Sequence, residues 1–358
     1  MTLSPVFRSE SAVRLLHEEG IWEALEPAVA SQARAVRRVL EDLDGVIDES
    51  FLDPMPALPD GRNPLDPEAL GFLQEYFFLI LFRSLFESVG VHGDRLDRYA
   101  EVNFCIKGTI TAADNLFDDQ AKSLLPLAAT DGPRFHSILQ LMCFERLIRR
   151  SLDRWHEAGD MEGASRHRIL KGLIDLMGEI GRLEGSEEGG VKEIPEPAAM
   201  VDAVHRIRGG ALFALAFVAP AVLEEGEVAE RMARAEPAVA RLGTAFQIVD
   251  DLTDFEFDVG RRSHNLLVSE IHHNGGPDEQ ALLSRLRSGE VQAGPSMVEG
   301  PFQRSARAVL QRAYDEARGA FSSLEALGFW FPTRLADDVV HAIVGLEGVR
   351  RMERLAVE

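Results

Sequence analysis

Residues 246–260 read FQIVDDLTDFEFDVG, and the fold of the chain turns on this stretch. Asp250, Asp254 and Asp258 recur every fourth residue, with Asp251 beside the first, directly after the apolar Phe246, Ile248 and Val249. Counting Glu256, five carboxylates fall between Asp250 and Asp258. A spacing of four puts side chains on one face of a helix. Like charges at that spacing weaken an isolated helix by about 0.2–0.5 kcal/mol per pair. A helix tolerates the repulsion when something positive sits between the carboxylates. Hard oxygen donors on a rigid helix suit Mg²⁺, which takes a few carboxylates and keeps its other positions for water and phosphate oxygens.

A second acidic stretch lies upstream, ITAADNLFDDQ at residues 110–120. Asp114 and Asp118 are again four apart, Asp119 stands beside them, and an apolar run precedes them. One acidic pair of this kind is usually a solvated helix face. Two clusters, each at the end of an apolar helix, point instead to two helices that share metal ions and a polyanion. Neither cluster has the glycine and spaced ligands of a twelve-residue calcium loop. A di-iron bundle needs paired Glu-x-x-His motifs, and only Glu270–His273 fits.

Outward from these clusters, helical periodicity dominates. Apolar residues repeat at three- and four-residue spacing over Ala28–Glu49, Glu68–Val89, Asp94–Asp118, Phe135–Ala158 and Met200–Leu223. They do so again over Glu227–Phe257, Gln303–Leu327 and Pro332–Leu355. No segment alternates as a half-buried strand does, and no Asn-Gly hairpin joins β-branched runs. Proline and glycine punctuate Leu52–Pro67, Gly185–Pro197, Asn274–Pro277 and Gly289–Pro301. None of these breaks demands a domain boundary, so the reading is all-α: one large helical bundle over residues 1–358. The chain has 358 residues, 46% hydrophobic and 27% charged, enough to bury a large core. Its net charge of −21 argues against nucleic acid and anionic membrane surfaces as partners. A polyanion can still bind such a chain through divalent metal. Gly209–Leu223, the longest uncharged apolar stretch, is too short to span a bilayer and contains Pro220, so it reads as a core helix with no membrane span. The N-terminal MTLSPVFRSESAVRLLHEEG lacks a basic head followed by an apolar run, which predicts no signal peptide. Two cysteines, Cys105 and Cys143, sit in apolar helical stretches and fit buried thiols in a reducing cytoplasm.

These residues resemble a known family. FQIVDDLTD, followed by Gly260-Arg261 and Asn265-Leu266, resembles the second aspartate-rich motif of the trans-prenyltransferases and its downstream Gly-Lys and Asp-Leu element. DNLFD at 114–118 resembles their first aspartate-rich motif, with asparagine in second place. The resemblance covers about residues 96–267. It implies the α-helical isoprenoid synthase fold, with an apolar cavity between helices. It further implies that Asp114 and Asp118, with Asp119 beside them, hold two Mg²⁺ ions, and that Asp250, helped by Asp254, holds a third. Arg208, in RIRGGALF, takes the place of a phosphate-binding lysine, and Arg261 that of another. Arginine grips phosphate oxygens in a bidentate manner, so the chemistry survives both changes. Gly209-Gly210 beside Arg208 predicts a helix interrupted where substrate approaches. Gln247, Phe104 and Phe213 are implied to line the substrate site, and Phe77, Phe78, Phe217 and Phe246 are further aromatic faces able to stabilise a cation.

Where the sequence departs from the family, the implied reaction changes. Gly71–Phe82 reads GFLQEYFFLILF, without the lysine and arginine that hold isopentenyl diphosphate in chain-elongating members. After the first motif, DDQAKSLLP offers only Lys122 in place of paired arginines. LVSEIHHNG replaces a basic element beyond the second. A second buried anion needs compensating cations. The expectation is therefore a class I terpene synthase that ionises one allylic prenyl diphosphate and cyclises or deprotonates the cation. In the resembled family a bulky aromatic before the first motif caps short products; Thr109 and Ile110 are not aromatic, which implies room for a chain of about fifteen carbons or more. A chain-elongating prenyl diphosphate synthase and a non-catalytic regulatory subunit of one are the alternatives. A homodimer is compatible with either.

Overall fold

The computed structural model describes residues 18–59, 67–117, 120–128, 132–343 and 351–355. Among them the regular elements are helices, with an isolated bridge between Leu52 and Leu127 as the β pairing. The all-α reading holds. By packing, the described chain divides into two units. The first takes in Leu16–Leu173 and Leu215–Met232; the second takes in Ile174–Ala214 and Ala233–Glu358.

The first unit opens with α1, Ile21–Glu41, whose buried face repeats through Ile21, Leu25, Ala28, Val29, Ala33, Val36 and Leu40. It starts ahead of the Ala28 expected from the apolar repeat, carrying Pro27 inside it, and tightens into a 3₁₀ turn at Asp42–Gly45 instead of running to Glu49. Then come α2 (Pro67–Ser88), kinked at Tyr76 (φ −116°, ψ 21°), α3 (Gly93–Phe117) and α4 (Pro133–Glu157). At Gly108 a Cβ would lie 2.0 Å from the Phe144 ring, so α3 and α4 pack closer than any side chain there allows. Phe86 meets Phe217 edge-on at 5.1 Å and Tyr99 at 6.0 Å, and Tyr99 meets Trp155 at 5.9 Å. Among these rings Glu101 is buried, accepting from Arg38 Nε at 2.7 Å, Arg154 Nη2 at 2.8 Å and Ser151 Oγ at 3.0 Å. Arg38 and Arg154 are 40% and 38% exposed, so Glu101 is the desolvated member of the set.

Helix α5 (Gly163–Gly185), which the apolar repeat did not reveal, starts in the first unit and ends in the second. Next is α6, a continuous helix over Pro197–Leu223. Its winding is uneven: π-helical over Val201–Ala211 and 3₁₀ over Leu215–Phe217. The expected run from Glu227 to Phe257 is instead two helices, α7 (Gly226–Thr253) and α8 (Phe255–Arg261), broken at Asp254 (φ −100°, ψ 8°). Helices α9 (Leu266–Asn274), α10 (Pro277–Ser288), α11 (Gln303–Glu325) and α12 (Ala336–Ile343) complete the second unit, with a further helical stretch at 351–355. Two helical stretches, Ala69–Ser88 and Pro197–Leu223, are long and apolar enough to cross a membrane by length and composition. In their most apolar windows 67% and 50% of the residues are buried in protein, as in core helices. Cys105 and Cys143 are free, buried thiols.

Candidate active site

In the second unit the acidic motif lies on the last turn of α7 and the first of α8. Gln247 Nε2 donates to Asp250 Oδ2 at 3.3 Å, and Thr253 Oγ1 to Asp250 O at 2.8 Å. Burial, then the nearby charges of Asp254, Asp251 and Asp258, hold the Asp250 carboxyl well above the usual carboxylate range, with Arg208 opposing. Asp258 is pushed up to about 8, first by burial and then by Asp251. Carboxylates are thus crowded here with too little positive charge beside them. Asp254 stands exposed at the break between the two helices.

Asp251 points the other way and is 2% exposed. It accepts from His205 Nε2 at 2.7 Å and from the backbone N–H of Leu266. Asn265 completes the brace: its Nδ2 donates to Asp251 O at 2.7 Å and to Asp258 Oδ2 at 2.9 Å, while its Oδ1 caps α9 by accepting from Leu267 N and Val268 N. Sequence reasoning missed His205 and this role of Asn265. The signal available was Asn265-Leu266, standing where the family has Asp-Leu.

Arg208 is half-buried on the π-wound part of α6. Its Nε donates to Glu184 Oε1 at 2.5 Å and its Nη2 to Glu187 Oε1 at 2.6 Å. Burial acts to lower its pKa, but Glu184, Glu187 and Asp251 outweigh that and raise it. Glu187 also accepts from His264 Nδ1 at 2.6 Å. Neither glutamate was anticipated. Gly209 and Gly210 do not interrupt the helix. A Cβ on Gly209 would lie 2.2 Å from Gly243 O, and one on Gly243 equally close to Gly209 O. The absence of side chains lets α6 and α7 cross backbone to backbone. Beside the crossing, Phe213 and Phe246 stack with centroids 6.2 Å apart. Arg261 is exposed, its guanidinium 5.0 Å from the Phe257 ring centroid.

In the first unit Asp114 is exposed near the end of α3, while its neighbour Asn115 is buried. Asn115 clasps the chain beyond the motif, donating to Lys122 O at 2.7 Å and accepting from Lys122 N at 3.0 Å. Asp118 and Asp119 lie outside the described residues. Phe104 is fully buried, between Tyr76 at 5.8 Å and Phe144 at 5.6 Å. Gly71–Phe82 forms part of α2, with Phe72, Leu73, Phe77, Leu79, Ile80 and Leu81 in the core. The neighbouring cations are engaged: Lys107 with Glu75 at 3.2 Å, and the buried Arg83 with Asp97 at 2.5 Å.

Among the described residues no three His, Cys, Asp or Glu side chains form a ready-made metal cage. The second acidic motif nonetheless fits a hard divalent cation. Its donors are carboxylate oxygens, and the upward shift at Asp250 comes from burial first and then from neighbouring carboxylates, both of which such an ion would offset.

No protein-family model matches the sequence. No curated protein matches it. Solved structures do share its architecture. A decaprenyl diphosphate synthase from Rhodobacter capsulatus superposes with a TM-score of 0.57 at 18% identity, covering 90% of this chain and 99% of that one. A polyprenyl synthase from Caulobacter crescentus CB15, complexed with calcium and isoprenyl diphosphate, gives 0.57 at 15% identity over 92% and 98%. A geranylgeranyl pyrophosphate synthetase from Pyrococcus horikoshii gives 0.56 at 13% identity over 95% and 99%. Over about 90% of its length, the chain has the all-helical fold of the polyprenyl diphosphate synthases.

Proposed function

We propose that the chain is a single catalytic domain, a Mg²⁺-dependent enzyme acting on an allylic prenyl diphosphate. Asp250 and Asp254 of one motif and Asp114, Asp118 and Asp119 of the other are its metal ligands. The observation that carries this is the crowding of carboxylates around Asp250, which burial and like charge hold in a state that a divalent cation would relieve. Mg²⁺, when bound, supplies the positive charge that turns diphosphate into a good leaving group. The chain's own residues then have distinct tasks. Gln247 orients Asp250. Arg208 and Arg261 offer guanidiniums to phosphate oxygens. The stacked Phe213 and Phe246 present aromatic faces to an apolar chain or an allylic cation.

Two reactions suit such a site. Prenyl transfer with chain elongation is the reading the fold likeness favours, since the similar structures bear the names of decaprenyl, polyprenyl and geranylgeranyl diphosphate synthases. The single-substrate terpene synthase reading keeps one specific observation in its favour: Gly71–Phe82 carries no cation and is largely core. The deciding assay incubates the full chain with Mg²⁺ and geranyl, farnesyl or geranylgeranyl diphosphate, with and without isopentenyl diphosphate. Diphosphates longer than the one supplied, formed only when isopentenyl diphosphate is present, are the expected products. Hydrocarbon or alcohol formed in its absence would establish the single-substrate reaction instead. No turnover of any of them would leave the regulatory-subunit reading. Asp114→Ala, Asp118→Ala and Asp250→Ala should each lower kcat at least about a hundredfold, a loss of roughly 2.7 kcal/mol of transition-state stabilisation. Near-normal turnover in all three would remove the metal site from these residues.

A further inference from the structure

The second unit contains a cavity of about 360 Å³ between the end of α8 and the end of α10. Arg262, just past α8, and Arg287, in the last turn of α10, both line it. Arg262 Nη2 donates to Arg287 O at 3.0 Å, and Arg287 Nη2 donates to Val191 O at 3.2 Å. A guanidinium carries five N–H donors. Among the described residues these are the hydrogen bonds the two side chains make, and neither meets a carboxylate. In a chain with 59 acidic residues against 38 lysines and arginines, two neighbouring arginines without an acid are unusual company. The one acidic lining residue, Glu256, is already taken by both terminal nitrogens of Arg351, at 2.9 and 3.1 Å. Burial, and after it the charge of Arg262, lowers the pKa of Arg287, so the two cations sit close enough to oppose each other.

The backbone adds an independent sign. Arg262 has φ 59° and ψ 36°, the left-handed region, at the helix-end position where glycine or asparagine is usual. Holding a long side chain there costs about 1–2 kcal/mol. The surroundings impose it: Val191 N donates to Arg262 O at 2.8 Å, and a Cβ on Gly190 would lie 3.1 Å from the Arg262 Cβ. Glycine would satisfy the same turn without strain, so the turn does not explain the arginine. Capping the end of α10 needs one donor, not a second cation beside it.

We propose that this groove is an anion site that takes a phosphate dianion, bordered by Glu256 of the second acidic motif but apart from the proposed metal ligands, and independent of the reaction proposed above. Two guanidiniums match the charge and the fork geometry of phosphate, whereas a lone carboxylate ligand would leave one of them uncompensated. Val259, Leu286 and Val291 give the same cavity an apolar wall, which suits a phosphate carried on a small hydrocarbon group.

Isothermal titration of the full chain in EDTA, which silences metal-dependent binding, tests the site with inorganic phosphate, inorganic diphosphate and butyl phosphate. At least one should bind with a Kd below about 1 mM. Butyl phosphate binding more tightly than inorganic phosphate assigns the site to an organic phosphate; the reverse assigns it to the free ion. Arg287→Gln should weaken binding at least about tenfold, and Arg287→Lys should keep part of it, as a point charge without the fork. Arg262→Asn, which relieves the left-handed backbone while removing the charge, should match Arg287→Gln in binding yet melt no lower than the parent. No heat from any of the three ligands up to about 10 mM, or affinity that survives both Arg287→Gln and Arg262→Asn, overturns the proposal.

Discussion

Asp250 and Asp251 are adjacent, chemically identical, and opposite in what they do. Asp251 is a structural acceptor for His205 and the start of α9. Its replacement by alanine strands two buried donors and should cost about 3 kcal/mol or more in urea unfolding. Asp250 sits among like charges. Its carboxyl pKa is raised in the folded chain, so its contribution to stability is complete below the usual carboxylate value and is lost as pH rises through the folded value. Asp250→Asn cannot ionise. The metal-free variant should therefore be more stable than the parent at pH 8, and equal to it near pH 4. Equal stability at both pH values would remove the charge crowding. Helical geometry alone turns Asp251 away from the face of Asp250. It did not disclose the brace. His205 is far along the chain from Asp251, and nothing in the local pattern distinguishes a histidine that braces an acid from one that faces solvent. The same holds for Glu184 and Glu187, whose hold on Arg208 exists only once α5 and α6 are packed.

At the level of elements, the crossing of α6 and α7 leaves no room for a Cβ between the two backbones. Gly209→Ala should destabilise by about 3 kcal/mol, the upper end of overpacking costs, because the obstacle at 2.2 Å is a backbone carbonyl that cannot rotate away. Gly210→Ala, whose Cβ would meet Ala240 O at 3.1 Å, should cost less. Equal melting temperatures for the two variants would contradict the geometry. A glycine pair advertises close approach in a sequence without naming what approaches; here it is another helix. The helices that were legible are those with long apolar repeats. Helix α5 was not: Gly163, Gly172, Gly178 and Gly181 dilute its pattern, and it buries little beyond Ile169 and Leu173. The break at Asp254 was also hidden, since the four-residue acidic spacing runs straight through it.

Across the whole molecule, a charge of −21 works against compaction. Sodium chloride should raise the melting temperature by screening, and Mg²⁺ should raise it further at equal ionic strength if the acidic motifs bind it. Saturation at a hundred times Kd corresponds to about 2.7 kcal/mol. Scanning fluorimetry with matched salts checks this, and identical curves for the two salts would count against a divalent site. Helical class was readable at this scale because periodicity is a short-range property. The division into two units was not, because the chain leaves the first at Leu173, returns at Leu215 and leaves again at Met232. That threading bears on synthesis. As the chain emerges from the ribosome, the first unit lacks its closing segment until Met232 is out, while Ile174–Ala214 waits for partners still untranslated. Neither unit can mature in order of appearance, and no single cut in the gene yields either one whole.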